Sequence, residues 1–168
     1  MLLKRLALKN FKKHENLELT FKEGLTAIRG GNEAGKSSII DAIQYAFFGP
    51  KSVKSAASDL VTWGALPKSM SVEVEVGNFI ISRSPRGAEV KSGAGVVVTG
   101  QSEVTKWVEA NVVGCSGATA ISFMVASQMD IRGTLASGPK ATAMLLEEAA
   151  EFDLFDRIID AAQHKLPL

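Results

Sequence analysis

Cysteine is nearly missing from this sequence: Cys115 stands alone among 168 residues. No internal disulfide can form, and no cysteine-rich metal site can either, so a reducing, cytoplasmic-type compartment is the expectation. Cys115 itself reads as a small buried or loop residue rather than a reactive thiol. Histidine is equally scarce. His14 and His164 lie far apart in sequence without ligand-spaced companions, and no structural zinc is expected. No stretch reaches the roughly 20 apolar residues that a membrane span requires. The opening Met1-Leu2-Leu3 is interrupted by Lys4 and Arg5 too early for a secretion signal. Excess charge is absent as well. Nineteen basic and eighteen acidic side chains leave a net charge of +1, so overall charge does not argue for a nucleic-acid partner.

What is present is a chain of one-domain length, 46% hydrophobic and 22% charged, enough to bury a real core. Its charges are unevenly spread. Lys4, Arg5, Lys9, Lys12, Lys13 and Lys22 make the beginning basic, and Glu147, Glu148, Glu151, Asp153, Asp156 and Asp160 make the end acidic. The basic end either faces phosphates or is an ordinary solvated face.

The first thirty residues read as strands. Leu17, Leu19 and Phe21 alternate with polar neighbours, the period of a half-buried strand. Leu25 to Ile28 is a short apolar run, expected to be a strand leading into glycines. From Ser37 the spacing becomes helical, with Ile39, Ile40, Ala42, Ile43, Ala46 and Phe47, and Gly49-Pro50 ends the run. Residues 51–70 read mainly as loop. Val72, Val74 and Val76, then Gly77-Asn78, then Phe79 to Arg83 predict a β-hairpin. A glycine-rich stretch from Gly87 to Gly95 leads to a strand at Val96–Val98. A helix is expected over Glu103–Val112, an apolar stretch over Ala118–Ala126, and helical character from Ser137 to about Lys165. Mixed strands and helices around a strand–glycine loop–helix unit predict an α/β fold.

That unit carries the chemistry. Gly30-Gly31-Asn32-Glu33-Ala34-Gly35-Lys36-Ser37 fits the phosphate-loop pattern G-x-x-x-x-G-K-[ST] at every fixed position. Gly30 and Gly35 let the backbone curl so that successive N–H groups turn inward onto phosphate oxygens. Lys36 brings a positive charge to the β/γ-phosphates, and Ser37 offers a hydroxyl to Mg²⁺. The following helix aims its unpaired N–H groups and positive dipole end at the same anion. Chance supplies such a match in roughly one chain in a few hundred of this length, and the helical pattern after the loop lowers that further. ATP and Mg²⁺ are the expected cofactors, with Asn32, Glu33, Ala34, Gly35, Lys36, Ser37 and Ser38 at the phosphates.

Met1 to His14, Phe21 to Ile28, Gly30 to Ser38 and Ile39 to Ile43 together resemble the opening of the SbcC-type DNA double-strand-break repair ATPases. These belong to the wider group related to structural maintenance of chromosomes (SMC) proteins. Ser127-Gln128-Met129-Asp130 falls where that family has its glutamine loop. The resemblance is specific over 1–48, moderate over 118–136 and only general over 84–110. It implies a P-loop NTPase fold, the N-terminal lobe of an ABC-type ATPase head with a mixed β-sheet around the P-loop helix, spanning residues 1–168. It also implies a C-terminal lobe beyond a long coiled coil, a second head that closes over two ATP molecules, double-stranded DNA, and an SbcD-type nuclease partner. Gln128 would then contact Mg²⁺ or the attacking water and act with Lys36 in catalysis. The place implied is cytoplasmic, nucleoid-associated in a bacterium or archaeon.

The family's other catalytic parts are not legible in these 168 residues. Met144-Leu145-Leu146-Glu147-Glu148 mimics an apolar run ending in acids but lies in a helical pattern, and Leu135 to Pro139 fits a helix N-cap better than a serine-glycine signature. The family places a basic residue near the phosphates, a role open to Lys12 and Lys13, which are otherwise solvated lysines. Trp63 either stacks on adenine or fills a core or lobe interface. Arg83 and Arg86 are candidates for DNA phosphates. Two further readings compete with nuclease-linked repair: an SMC-like or RecF-like DNA clamp or loader without a nuclease, and, less well matched, an ABC transporter ATPase.

Overall fold

In β1 (Leu3–Phe11) the buried side chains are Leu6, Leu8 and Phe11, each at most 1% exposed. Strict alternation would send Phe11 to the opposite face. Asn10 prevents this, because its left-handed backbone (φ 50°) re-aims the strand end. The computed structural model describes residues 2–124, in two units that divide between Val112 and Val113. Gln128, the helix expected from Ser137, and the acids at Glu147 and Glu148 lie outside the described residues.

The first unit is built on a six-stranded antiparallel sheet in the order β2-β1-β3-β4-β5-β6. β2 is His14–Thr20, β3 Ser71–Val76, β4 Phe79–Ser84, β5 Gly87–Ser92 and β6 Gly95–Thr99. The hairpin read from Val72 to Arg83 is β3–β4, in register Val74↔Ile81 and Val76↔Phe79. Helix α1 (Lys36–Phe48) packs across β1, β3 and β4, and α2 (Gln101–Val108) against β5 and β6. One core results, from Leu6, Leu8 and Phe11 of the sheet, Val72, Val74 and Val76 of β3, and Ile39, Ala42, Tyr45 and Ala46 of α1. Each fully buried aliphatic side chain contributes about 1.5–3 kcal/mol, so this contact holds α1 against the sheet.

The opposite sheet face is polar. Arg5 donates to Glu18 on β2 at 2.5 Å and to Glu73 on β3 at 2.6 Å, tying three strands together. Those bonds hold the Arg5 guanidinium firmly protonated and keep the Glu18 carboxyl below its ordinary range.

Three expectations need correction. The run Leu25–Ile28 is not a strand: residues 23–31 carry no regular element and Leu25 is 99% exposed. No described strand lies beside it to satisfy its backbone, and propensity alone does not make a strand. The glycine-rich stretch after Gly87 is a strand, β5, with Ala88 and Val90 turned inward. The third concerns Arg83, which is 2% exposed rather than turned to solvent. It donates to Ala46 O and Phe47 O at the end of α1, and to Gln101 and Thr105 on α2. Burial depresses its pKa. Arg86, in the turn after β4, is exposed.

The second unit is described over Val113–Met124. Its helix α3 (Gly117–Met124) starts at Ser116, whose Oγ accepts from the Thr119 N–H at 3.3 Å, as an N-cap does.

Candidate functional site

The phosphate loop is set by the start of α1. Gly35 immediately precedes the helix with φ 89° and ψ 13°, and Glu33 is also left-handed at φ 63°. Such positive-φ positions curl the chain and turn N–H groups toward one side. Gly30 is needed for a different reason. A Cβ there would stand 3.2 Å from that of Ala34, tighter than ordinary contact. Lys36 opens α1, and its ammonium donates to Gly30 O at 2.7 Å and Gly31 O at 2.5 Å, spanning the loop mouth. No acidic residue occupies the first turn of α1, so its positive end is unopposed there.

A cavity of about 420 Å³ opens at this point, lined by Lys13, Glu33, Ala34, Gly35, Lys36, Ser37 and Ser38. Asn32 is exposed but outside that lining. A second cavity of about 640 Å³ shares Lys13 and Ser38 with it and adds Lys12, Ser55, Thr62, Trp63 and Gly64 among others. The two are neighbouring parts of one groove. Trp63 is 99% exposed, which removes the core alternative for it.

The β1–β2 turn holds the groove together. Lys12, in the left-handed region at φ 50°, donates its ammonium to Asp41 at 2.6 Å and Ser55 at 3.0 Å. Lys13 reaches Glu33 at 3.3 Å, and His14 Nε2 lies 3.1 Å from Gly35 O. Backbone bonds from Lys12 N to Leu60 O (2.8 Å) and from Thr62 N to Asn10 O (3.0 Å) fasten the Trp63 loop to the same turn. Lys12 and Lys13 therefore line the groove with their ammonium groups engaged by protein acids. His14, Asp41 and Ser55 escaped the sequence reading. Asp41 had a visible signal, a carboxylate inside an apolar helical run, but nothing in one dimension gave its partner.

A family model described as an AAA domain matches residues 5–105, more than half of the chain. The chain belongs to this family. It is 32% identical over 97% of its length to a protein named DNA double-strand break repair Rad50 ATPase from Thermoplasma acidophilum, covering 20% of that protein. It is 33% identical over 77% of its length to the protein of that name from Archaeoglobus fulgidus, covering 15% of it. The chain thus spans a fifth or less of these curated relatives. A solved structure from work on ATP-driven dimerization and DNA-stimulated activation of SMC ATPases superposes with TM-score 0.64 at 23% identity, covering 88% of this chain and 98% of that one. The fold is that of a P-loop ATPase head of this type, an α/β arrangement of sheet and P-loop helix. Among the described residues, no helix is long and apolar enough to cross a membrane.

Proposed function

We propose that residues 1–168 form the N-terminal, ATP-binding lobe of a Rad50-type ATPase head that works in DNA double-strand-break repair. The observation that carries this reading is the curled Gly30–Ser38 loop at the free end of α1, beside the groove that Trp63 lines. The triphosphate lies against the loop N–H groups of Asn32 to Ser38, and Lys36 exchanges its bonds to Gly30 and Gly31 for the β/γ-phosphates. Lys12 and Lys13 supply further positive charge, and Trp63 stacks on the base.

The exposed Ser37 hydroxyl in the first turn of α1 is a hard oxygen donor and would suit Mg²⁺ held beside the phosphates. When bound, Mg²⁺ neutralises charge on the transferring phosphoryl group. Gln128 is the proposed further contact to Mg²⁺ or the attacking water. A C-terminal lobe supplies the carboxylates, a second head completes the sandwich, and the complete cytoplasmic assembly acts on double-stranded DNA with an SbcD-type nuclease. ATP binding there closes two heads and gates the nuclease.

ATP turnover tests the reading. The purified chain alone should hydrolyse ATP hardly at all, since phosphoryl transfer depends on positioning groups that the proposed C-terminal lobe and second head supply. Adding a separately expressed C-terminal lobe should bring turnover that Lys36→Ala abolishes. Steady Lys36-dependent hydrolysis by the chain alone would contradict the half-site assignment.

A further inference from the structure

His14 is the first residue of β2, and its ring touches the phosphate loop from outside the groove: it lines neither cavity. Its Nε2 lies 3.1 Å from Gly35 O. A carbonyl oxygen only accepts, so this ring nitrogen carries the hydrogen and donates. The ring also fills the space where a Cβ on residue 35 would be, with Nε2 2.7 Å and Cε1 2.8 Å from that position. Its own backbone is fixed twice, by pairing with Phe11 and by the Thr62 hydroxyl donating to His14 O at 3.4 Å.

The Gly35–Lys36 peptide is trans, and in a trans peptide the N–H points opposite to the C=O. Gly35 is the N-cap of α1, so its carbonyl also accepts the first helical bond, and the His14 donor is a second hold on the same oxygen. We infer that His14 is a positioning residue: by holding the Gly35 carbonyl on the outer side of the loop, it turns the Lys36 N–H inward toward bound phosphate. The Lys36 side chain is not involved. What His14 reinforces is the direction of one backbone dipole at the proposed phosphate site. The inference rests on the phosphate-site reading above.

The test uses the 168-residue chain and titration calorimetry with MgATP and with adenosine. His14→Phe keeps a flat ring and removes the donor. His14→Gln keeps an N–H donor four bonds from Cα, as in histidine. Loss of one well-aimed backbone donor to phosphate predicts about fivefold weaker MgATP binding in His14→Phe. Adenosine affinity and melting temperature should be unchanged, and His14→Gln should stay within about twofold of wild type. Equal MgATP affinity of His14→Phe and wild type, with Lys36→Ala impaired, overturns the inference alone. Equal weakening in His14→Phe and His14→Gln also overturns it, because packing rather than the donor would then be responsible. A wild-type chain that ignores triphosphate overturns the phosphate-site reading, and this inference with it.

Discussion

Lys12 and Asp41 meet at 2.6 Å, although 29 positions separate them. The pair joins the end of β1 to the second turn of α1 and is only partly exposed, 18% and 26% by side chain. It therefore holds the phosphate-loop helix against the sheet in a setting drier than an ordinary surface ion pair. Lys12→Met and Asp41→Asn should each lower stability, and a double-mutant cycle in urea should give a coupling of about 0.5–1.5 kcal/mol. A coupling of zero would mean that the contact contributes nothing to holding α1.

Arg83 makes a larger claim on stability. Its hydrogen-bond partners are neutral oxygens, two of them carbonyls at the last turn of α1, where a cation also complements the helix dipole. Arg83→Leu leaves those acceptors buried without donors, at about 1–3 kcal/mol each. The melting temperature should fall by about 5 °C or more. Arg83→Lys should recover little, because one ammonium cannot reproduce the planar fork. Salt-dependent DNA binding, if the chain has any, should not be lost through Arg83, since the side chain faces inward.

Features set by neighbouring residues are legible in the sequence, and those set by distant ones are not. The curled loop before α1 is legible because its residues are contiguous and each answers a local demand, as Gly35 does with its positive φ. The β3–β4 hairpin was legible for the same reason: Gly77-Asn78 and the alternating valines act within a dozen residues. Arg83 was misread because a lone arginine on a hairpin looks solvent-facing until α1 and α2 bring their carbonyls and hydroxyl to it. Leu25–Ile28 is misread because a strand needs a neighbour, and among the described residues no strand pairs with it. The clamp of Lys12, Lys13 and His14 on the loop was invisible because each partner lies 20 or more positions away.

Gly35 gives a prediction that separates crowding from backbone strain. An alanine there must adopt φ near 89° and its Cβ must displace the His14 ring. Gly35→Ala should destabilise the chain by about 1–3 kcal/mol. Combining it with His14→Ala removes the clash but not the strain, so the double variant should melt higher than Gly35→Ala alone. A double variant that melts lower, by the sum of the single losses, would show that the ring and the new methyl group do not meet.

Central to the proposed function is that MgATP binds this chain through Lys36. Titration calorimetry of the wild-type chain and Lys36→Ala, at equal concentration and matched melting temperature, decides it. Removing the charge proposed to meet the β/γ-phosphates would lose charge-assisted bonds of about 1.5–3 kcal/mol each. The predicted result is MgATP binding by the wild type and at least about tenfold weaker binding by Lys36→Ala. Affinities within twofold of each other would contradict the assignment of Gly30–Ser38 as the phosphate site.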